Sequence, residues 1–416
     1  MQSYKNSEQK PAIMRGAPPA PENTVPAIDW DRPPWNRWAF QNISQILRTA
    51  PIYKNRNHSK SGLSVDVKPA EFTYSPRDIS GLQFTLDDGT DTTIDQFLDD
   101  TYTDGLLILH HNNIIHESYY NDMQSHSLHL GQSVTKSIVA TTAAVLIDQG
   151  TIDVNVPITR YLPELESTAW REATVQQVMD MTTGVRYNET YDERDSDVGK
   201  TDVASGWKPP PPDLDTSDWP NCLWDQILSL TVQDAEHGER FLYRSIETEV
   251  LAFAMERVTG IRLPQLISQL LWAPMGAEED ANITVDQHGC STASGGISAS
   301  LRDYARFGKL LLDKGMVEGR QVVPEWWVDD IRHGNHGLFS ADGKEAFANG
   351  CYRNQFWIED KDKSAHVCIG VFGQTIYVSP ELDMVAVKLS TWPEFRNRIH
   401  LRNTIRAFHA IGDWES

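Results

Sequence analysis

The sequence predicts an α+β protein, and three observations carry that expectation. Strand-like stretches sit early in the chain, at 106–120, and again late, between 355 and 389. Helical patterns fill the space between, foremost the apolar run after Ser133. Strands near both ends with helices between them close most simply as one antiparallel sheet, flanked by N- and C-terminal helices and carrying a mostly helical insertion. The corresponding division is a flexible extension at 1–30, a sheet domain from 31–150 and 288–416, and a mostly helical domain at 151–287 with long loops.

Taken in order, residues 1–30 are polar and proline-rich, with Pro18-Pro19-Ala20-Pro21. Apolar spacing through Trp38, Phe40, Ile43 and Leu47 predicts a first helix at 35–49, and 54–68 reads as loop. Leu106 to Leu109, a turn at His111-Asn112-Asn113 and a return through Ile114, Ile115 and Tyr119 predict a hairpin. The next helix spans 133–149 and is apolar on nearly all sides, with Gly150 as its stop. In 151–287 short helices are expected at 174–181, 223–230 and 247–258, separated by loops long enough to be functional. An amphipathic helix at 301–314 closes at Gly315. Strands follow at 355–359, 367–371, 375–378 and 384–389, then a last helix at 395–410.

Composition narrows the function. The chain has 416 residues, 40% of them hydrophobic, and thirteen tryptophans, so it can bury a large core. It has no apolar run long enough to span a bilayer, and its N-terminus is polar, so a soluble, cytoplasmic protein is expected. The formal charge of −21 would repel nucleic acid and anionic membranes, which leaves a small molecule as the expected partner. A homodimer is left open. Cys222, Cys290, Cys351 and Cys368 form no Cys-x-x-Cys pair and are expected as free thiols. His110, His111 and His116 match no metal motif, and no cofactor is called for.

The chemistry centres on Ser133 and Lys136. Positions i and i+3 share a helix face, so the lysine amine can lie against the serine hydroxyl. At a helix N-terminus, free N–H groups and the positive dipole end favour a developing oxyanion. The same spacing occurs at Ser7 with Lys10 and at Ser205 with Lys208, but the first lies in the polar tail and the second runs into four prolines. Only Ser133 and Lys136 have a helix to follow.

Further stretches fall in a recognisable order. Pro33-Pro34-Trp35-Asn36-Arg37-Trp38-Ala39-Phe40, Tyr102-Thr103-Asp104, Tyr187-Asn188-Glu189, Thr284-Val285-Asp286, Leu301-Arg302-Asp303-Tyr304-Ala305-Arg306 and Val387-Lys388-Leu389-Ser390-Thr391-Trp392-Pro393 accompany the serine–lysine helix. With them the chain resembles the serine β-lactamase and penicillin-binding-protein superfamily, and within it the 6-aminohexanoate-dimer (nylon-oligomer) hydrolases. The resemblance covers nearly everything after the first thirty residues. It implies a β-lactamase/transpeptidase-like fold and makes Tyr243, in Tyr243-Arg244-Ser245, the catalytic tyrosine. Ser245 falls where relatives carry asparagine or serine. It places Val371 as second oxyanion N–H beside that of Ser133, with Gly370 allowing close approach. The strand Cys368-Ile369-Gly370-Val371 lacks the Lys-Thr-Gly of antibiotic-hydrolysing relatives. The resemblance also assigns Tyr191, Asp202, Ser294 and Trp357 to the substrate site, Asp202 as partner of an ammonium end. Ser294 departs from the asparagine of the nylon-oligomer pattern.

The resulting expectation is a serine hydrolase that cleaves linear amides of the 6-aminohexanoate-oligomer type, and short-chain esters, through an acyl-enzyme on Ser133. Lys136 would be the base and Tyr243 the proton shuttle. The alternatives are a carboxylesterase with little amidase activity, a β-lactamase or peptidase, and a silent penicillin-binding-like receptor.

Overall fold

The computed structural model describes residues 3–55 and 71–415. The predicted loop at 54–68 therefore lies, from residue 56 on, outside the described residues. The main sheet has eight strands: β1 (Thr73–Tyr74), β2 (Thr103–His110), β3 (Asn113–Tyr119), β4 (Cys351–Arg353), β5 (Phe356–Ile358), β6 (His366–Gly370), β7 (Gln374–Ser379) and β8 (Met384–Ser390). They lie in the order β4-β5-β6-β7-β8-β2-β3-β1. Neighbours are antiparallel except the two-residue β1, which runs parallel to β3 at one edge. The sheet is thus mixed, and the α+β architecture stands.

The pairing of β8 with β2 joins the two ends of the chain, with Val387 opposite Leu107. Every residue of both strands is buried. Their near-continuous apolar sequence reflects cover on both faces, since alternate side chains serve different cores. Leu107, Leu109 and Val387 join the large core with helices α1 (Val134–Asp148) and α3 (Leu301–Leu312). Leu106, Ile108 and Ala386 face the other way, toward Phe97, Phe408 and Ile411. The last two belong to the C-terminal helix α4 (Arg398–Glu415). A hairpin closes β2 onto β3 because His111 and Asn112 both take positive φ, 46° and 62°, the geometry of a tight turn matched to strand twist. Helix α1 runs as expected and stops before Gly150, at φ +70°. Helix α2 (Ile246–Thr259) anchors the helical region and ends on Gly260 in the left-handed conformation.

The expected helix at 35–49 is replaced by one α-helical turn at Asn36–Ala39, a 3-10 turn at Ile43–Gln45 and a strand at Thr49–Ile52. The Phe40 carbonyl, which a continuing helix would offer to residue 44, accepts the Leu130 N–H instead. Phe40 and Ile43 pack with Trp30, Leu130 and Phe372 in a separate core. The strand Thr49–Ile52 opens a second, four-stranded sheet with Ala281–Thr284, Ile297–Ala299 and His129–Leu130, which the sequence pattern did not indicate. Residues 3–30 lie along the surface, where the Tyr4 hydroxyl donates to Asn121 and the buried Trp30 indole to the Trp207 carbonyl.

One carboxylate joins these parts. Asp104, fully buried in β2, accepts bonds from Arg37 at 2.6 Å, Asn121 at 3.0 Å, His129 at 3.0 Å and Thr391 at 2.9 Å. Burial works against its charge, yet Arg37 and His129 outweigh it and hold the carboxyl below its ordinary value. Asp104→Ala is expected to destabilise the fold by about 3–5 kcal/mol in denaturant unfolding, because it strands the buried Arg37 guanidinium. A loss below about 1 kcal/mol would show that Asp104 is not the anchor.

Candidate active site

The turn into α1 is built under constraint. Gly131 donates to the Ile297 carbonyl, and a Cβ there would meet the Tyr304 hydroxyl at 2.4 Å, so the position needs glycine. Gln132 takes a φ of +50°, unusual for a residue with a side chain. Ser133 follows at the N-cap of α1, but its hydroxyl makes no capping bond. That leaves it for Lys136, whose Nζ donates to Ser133 Oγ at 2.8 Å and to the Ser294 carbonyl at 2.6 Å. Lys136 is buried beneath the serine, and its amine lies 5.1 Å from the centre of the Tyr243 ring. Tyr243 in turn stacks on Trp357, with ring centres 5.5 Å apart at 24°.

Strand β6 ends against this turn. A Cβ at Gly370 would sit 2.4 Å from the Gly131 carbonyl oxygen and 3.0 Å from Cβ of Gln132. Only glycine lets β6 come so close to the residues that precede Ser133. After Val371 the chain turns away through Phe372, at φ +62°, whose N–H bonds the Phe395 carbonyl.

These elements enclose a cavity of about 390 Å³, lined among others by Ser133, Tyr191, Tyr243, Trp357, Gly370 and Val371. Six of the expected site residues therefore meet in one place. Trp392 and Phe395 add apolar wall, and Glu189, Arg396 and Arg398 supply charge. Tyr191 donates to Glu189 at 2.7 Å, and burial first, then Glu189, pushes its phenol well above its ordinary value. It therefore serves as a hydrogen-bond donor.

Four expected residues do not line the cavity. Lys136 lies behind Ser133. Ser294 contributes its main chain to Lys136. Ser245 stands at the N-cap of α2 without a capping bond and turns its N–H and hydroxyl to Glu189, at 2.9 and 2.5 Å. The Asp202 carboxylate faces Lys208 at 3.9 Å, and that lysine is held at 2.8 Å by Asp31. Glu189, which orders both Tyr191 and Ser245, has no local sequence signal beyond its place in Tyr187-Asn188-Glu189, because its partners lie 2 and 56 residues away. A second carboxylate, Glu249, carries no local signal, since Glu247, Thr248 and Glu249 together read as an ordinary polar first turn of α2.

Comparison with known proteins gives the family and the fold. The beta-lactamase family model matches residues 90–409. The chain belongs to the beta-lactamase family, and its fold and class are those of a serine hydrolase of that family. Within the family it is a homologue of the 6-aminohexanoate-dimer hydrolase of Paenarthrobacter ureafaciens, with 35% identity over 392 residues, 94% of this chain and 93% of that protein. The solved structure of a proposed 6-aminohexanoate-dimer hydrolase from Bacillus anthracis superposes with a TM-score of 0.84 at 27% identity, covering 95% of this chain and 98% of that one. A family VIII carboxylesterase shares the fold at a TM-score of 0.54 and 15% identity, covering 74% of this chain and 92% of that one.

Gly370→Ala tests the close approach. It is expected to lower turnover by up to about 100-fold while the cooperative melt is kept, because β6 must move away from Ser133. Full activity in the folded variant would show that this contact does not matter.

Proposed function

We propose that the protein hydrolyses linear amides of the 6-aminohexanoate-oligomer type, and short-chain esters, through an acyl-enzyme on Ser133. The observation that carries this reading is the 2.8 Å bond between Lys136 Nζ and Ser133 Oγ at the floor of the cavity. In this mechanism Ser133 Oγ attacks the carbonyl carbon while its proton passes to Lys136. The oxyanion is held by the main-chain N–H groups of Ser133 and Val371. Collapse breaks the C–N or C–O bond, and Tyr243 supplies a proton to the leaving amine or alcohol. The proton held on Lys136 then restores the Tyr243 phenol. Water attacks the ester carbonyl carbon while its proton passes to Lys136, and collapse breaks the C–O bond to Ser133, whose Oγ takes that proton back as the acid is released.

Two features favour linear amides over β-lactams. The strand Cys368-Ile369-Gly370-Val371 lacks the lysine and threonine that antibiotic-hydrolysing relatives carry there, so the usual cation for a β-lactam carboxylate is missing from that strand. The apolar wall of Trp357, Trp392 and Phe395 suits a methylene chain. The homologue from Paenarthrobacter ureafaciens supports the same substrate class by its name.

A parallel assay of 6-aminohexanoate dimer, a short p-nitrophenyl ester and a chromogenic cephalosporin tests the reading. The dimer and the ester are expected to turn over, and Ser133→Ala to lose both activities together with labelling by a fluorophosphonate probe. Turnover of the cephalosporin alone, or equal labelling of Ser133→Ala, would overturn it.

A further inference from the structure

Glu249 stands behind the nucleophile with no part in the chemistry just described. It lies on α2, four residues after Ser245, and is fully buried. Its two oxygens are both engaged. Oε2 accepts the Ala293 N–H at 2.9 Å, and Oε1 accepts the Ser294 N–H at 2.8 Å. The carbonyl of the same Ser294 accepts the bond from Lys136 Nζ at 2.6 Å, and Lys136 reaches Ser133 at 2.8 Å. A continuous line of bonds thus runs from a buried carboxylate on α2 to the nucleophile on α1.

We propose that Glu249 is a positioning residue of the hydrolytic site: it fixes the Ser294 carbonyl that aims the Lys136 amine at Ser133, and its charge balances the ammonium formed when Lys136 takes the serine proton. The proposal rests on Ser133 and Lys136 acting as nucleophile and base.

The surroundings of Glu249 favour this pairing. Lys136 is the charged residue that acts on it from α1. Among the other elements packed on α2, Val175–Met179 and Leu263–Ile267 carry no charge, and Asp225 of Leu223–Ser229 is exposed. On α2 itself, Glu247 is occupied elsewhere, paired with Arg244 and bonded by Trp170 and Thr183. Burial pushes the Glu249 carboxyl up to about 7, against the bonds from Ser294 and Ala293 and the charge of Lys136. A carboxylate poised near neutrality in a dry site responds to the gain of a proton by its neighbour. A capping role for the 293–294 segment alone would need the two hydrogen bonds but not the charge, and the two roles separate by experiment.

The experiment measures the acylation rate of Glu249→Gln with a p-nitrophenyl ester from about pH 5 to 9, beside wild type and Ser133→Ala. Glutamine keeps the volume but removes the charge, and it offers one acceptor oxygen where two N–H groups point. The folded variant is expected to acylate about 10- to 100-fold more slowly, with KM changed by less than about 3-fold. The acid limb of its profile is expected to move to lower pH. The sign follows from the charge: without the carboxylate the ammonium form of Lys136 is less stabilised, so more acid is needed to populate it.

A wild-type rate in folded Glu249→Gln overturns the proposal, and so does a slow variant whose acid limb stays in place, which marks a structural role only. If Glu249→Gln loses its cooperative melt, Glu249→Asp takes its place. That variant keeps the charge one methylene further back, and is expected to acylate more slowly with the acid limb unmoved; an unchanged rate overturns the positioning role. Turnover by Ser133→Ala would instead mean that the nucleophile assignment underneath has failed.

Discussion

A single buried charge, the Asp104 carboxylate, ties together the segments on which the site depends. Arg37 belongs to the stretch before the first strand, Asn121 to the end of the hairpin, His129 to the second sheet and Thr391 to the exit of β8. An ion buried this deeply is tolerated only when its hydrogen-bonding capacity is filled, and here both oxygens are. The constraint reaches the turn into α1 through His129, which lies four residues before Ser133. The His129 carbonyl accepts from the Tyr304 hydroxyl, which also donates to Ile297 and fills the space over Gly131. Nearby, burial pulls Lys388 down to about 7, so the amine that β8 carries into the core gives up part of its charge at neutral pH.

That rigid base accounts for the local strain at the site. Gln132 holds a left-handed conformation and Phe372 another, one on each of the two segments that meet where Gly370 approaches the Gly131 carbonyl. Such conformations persist when the surroundings over-determine them. Here β6 presses on Gly131 from one side and α3 from the other, and neither can relax without breaking the sheet or the Tyr304 bonds. The geometry around Ser133 is thus set by two backbones in contact, while aromatic side chains such as Trp357, Trp392 and Phe395 wall the cavity above it.

Legibility in the sequence followed the range of the interactions. Helix α1 was readable because an apolar run with a glycine stop is a local pattern, and the hairpin because His111 and Asn112 sit between two apolar stretches. The helix expected at 35–49 failed because its apolar residues serve a core shared with Phe372, more than 320 residues away in sequence. Family-like stretches were visible as patterns but not as causes. The structure supplies the causes for several: Arg37, Asp104 and Thr391 form one buried network, Tyr304 supports the serine turn, and Asp303 bonds the N–H groups of Glu278 and Glu279. Among the candidate site residues, Ser133, Tyr191, Tyr243, Trp357, Gly370 and Val371 converge on the cavity. Asp202 and Ser245 are drawn to partners on the protein, which no local pattern announces. Glu249 is a similar case, one of two glutamates in the first turn of α2, whose meaning appears only once residues 293–294 are brought against it.

The central claim is covalent: the acyl group of the substrate passes through Ser133. Intact-protein and peptide mass spectrometry of enzyme acid-quenched during turnover of 6-aminohexanoate dimer tests it directly. The account predicts a transient mass increase equal to one aminohexanoyl group, confined to the peptide that carries Ser133 and absent from Ser133→Ala. Steady turnover with no adduct under rapid quench, or an adduct on another residue, would contradict it.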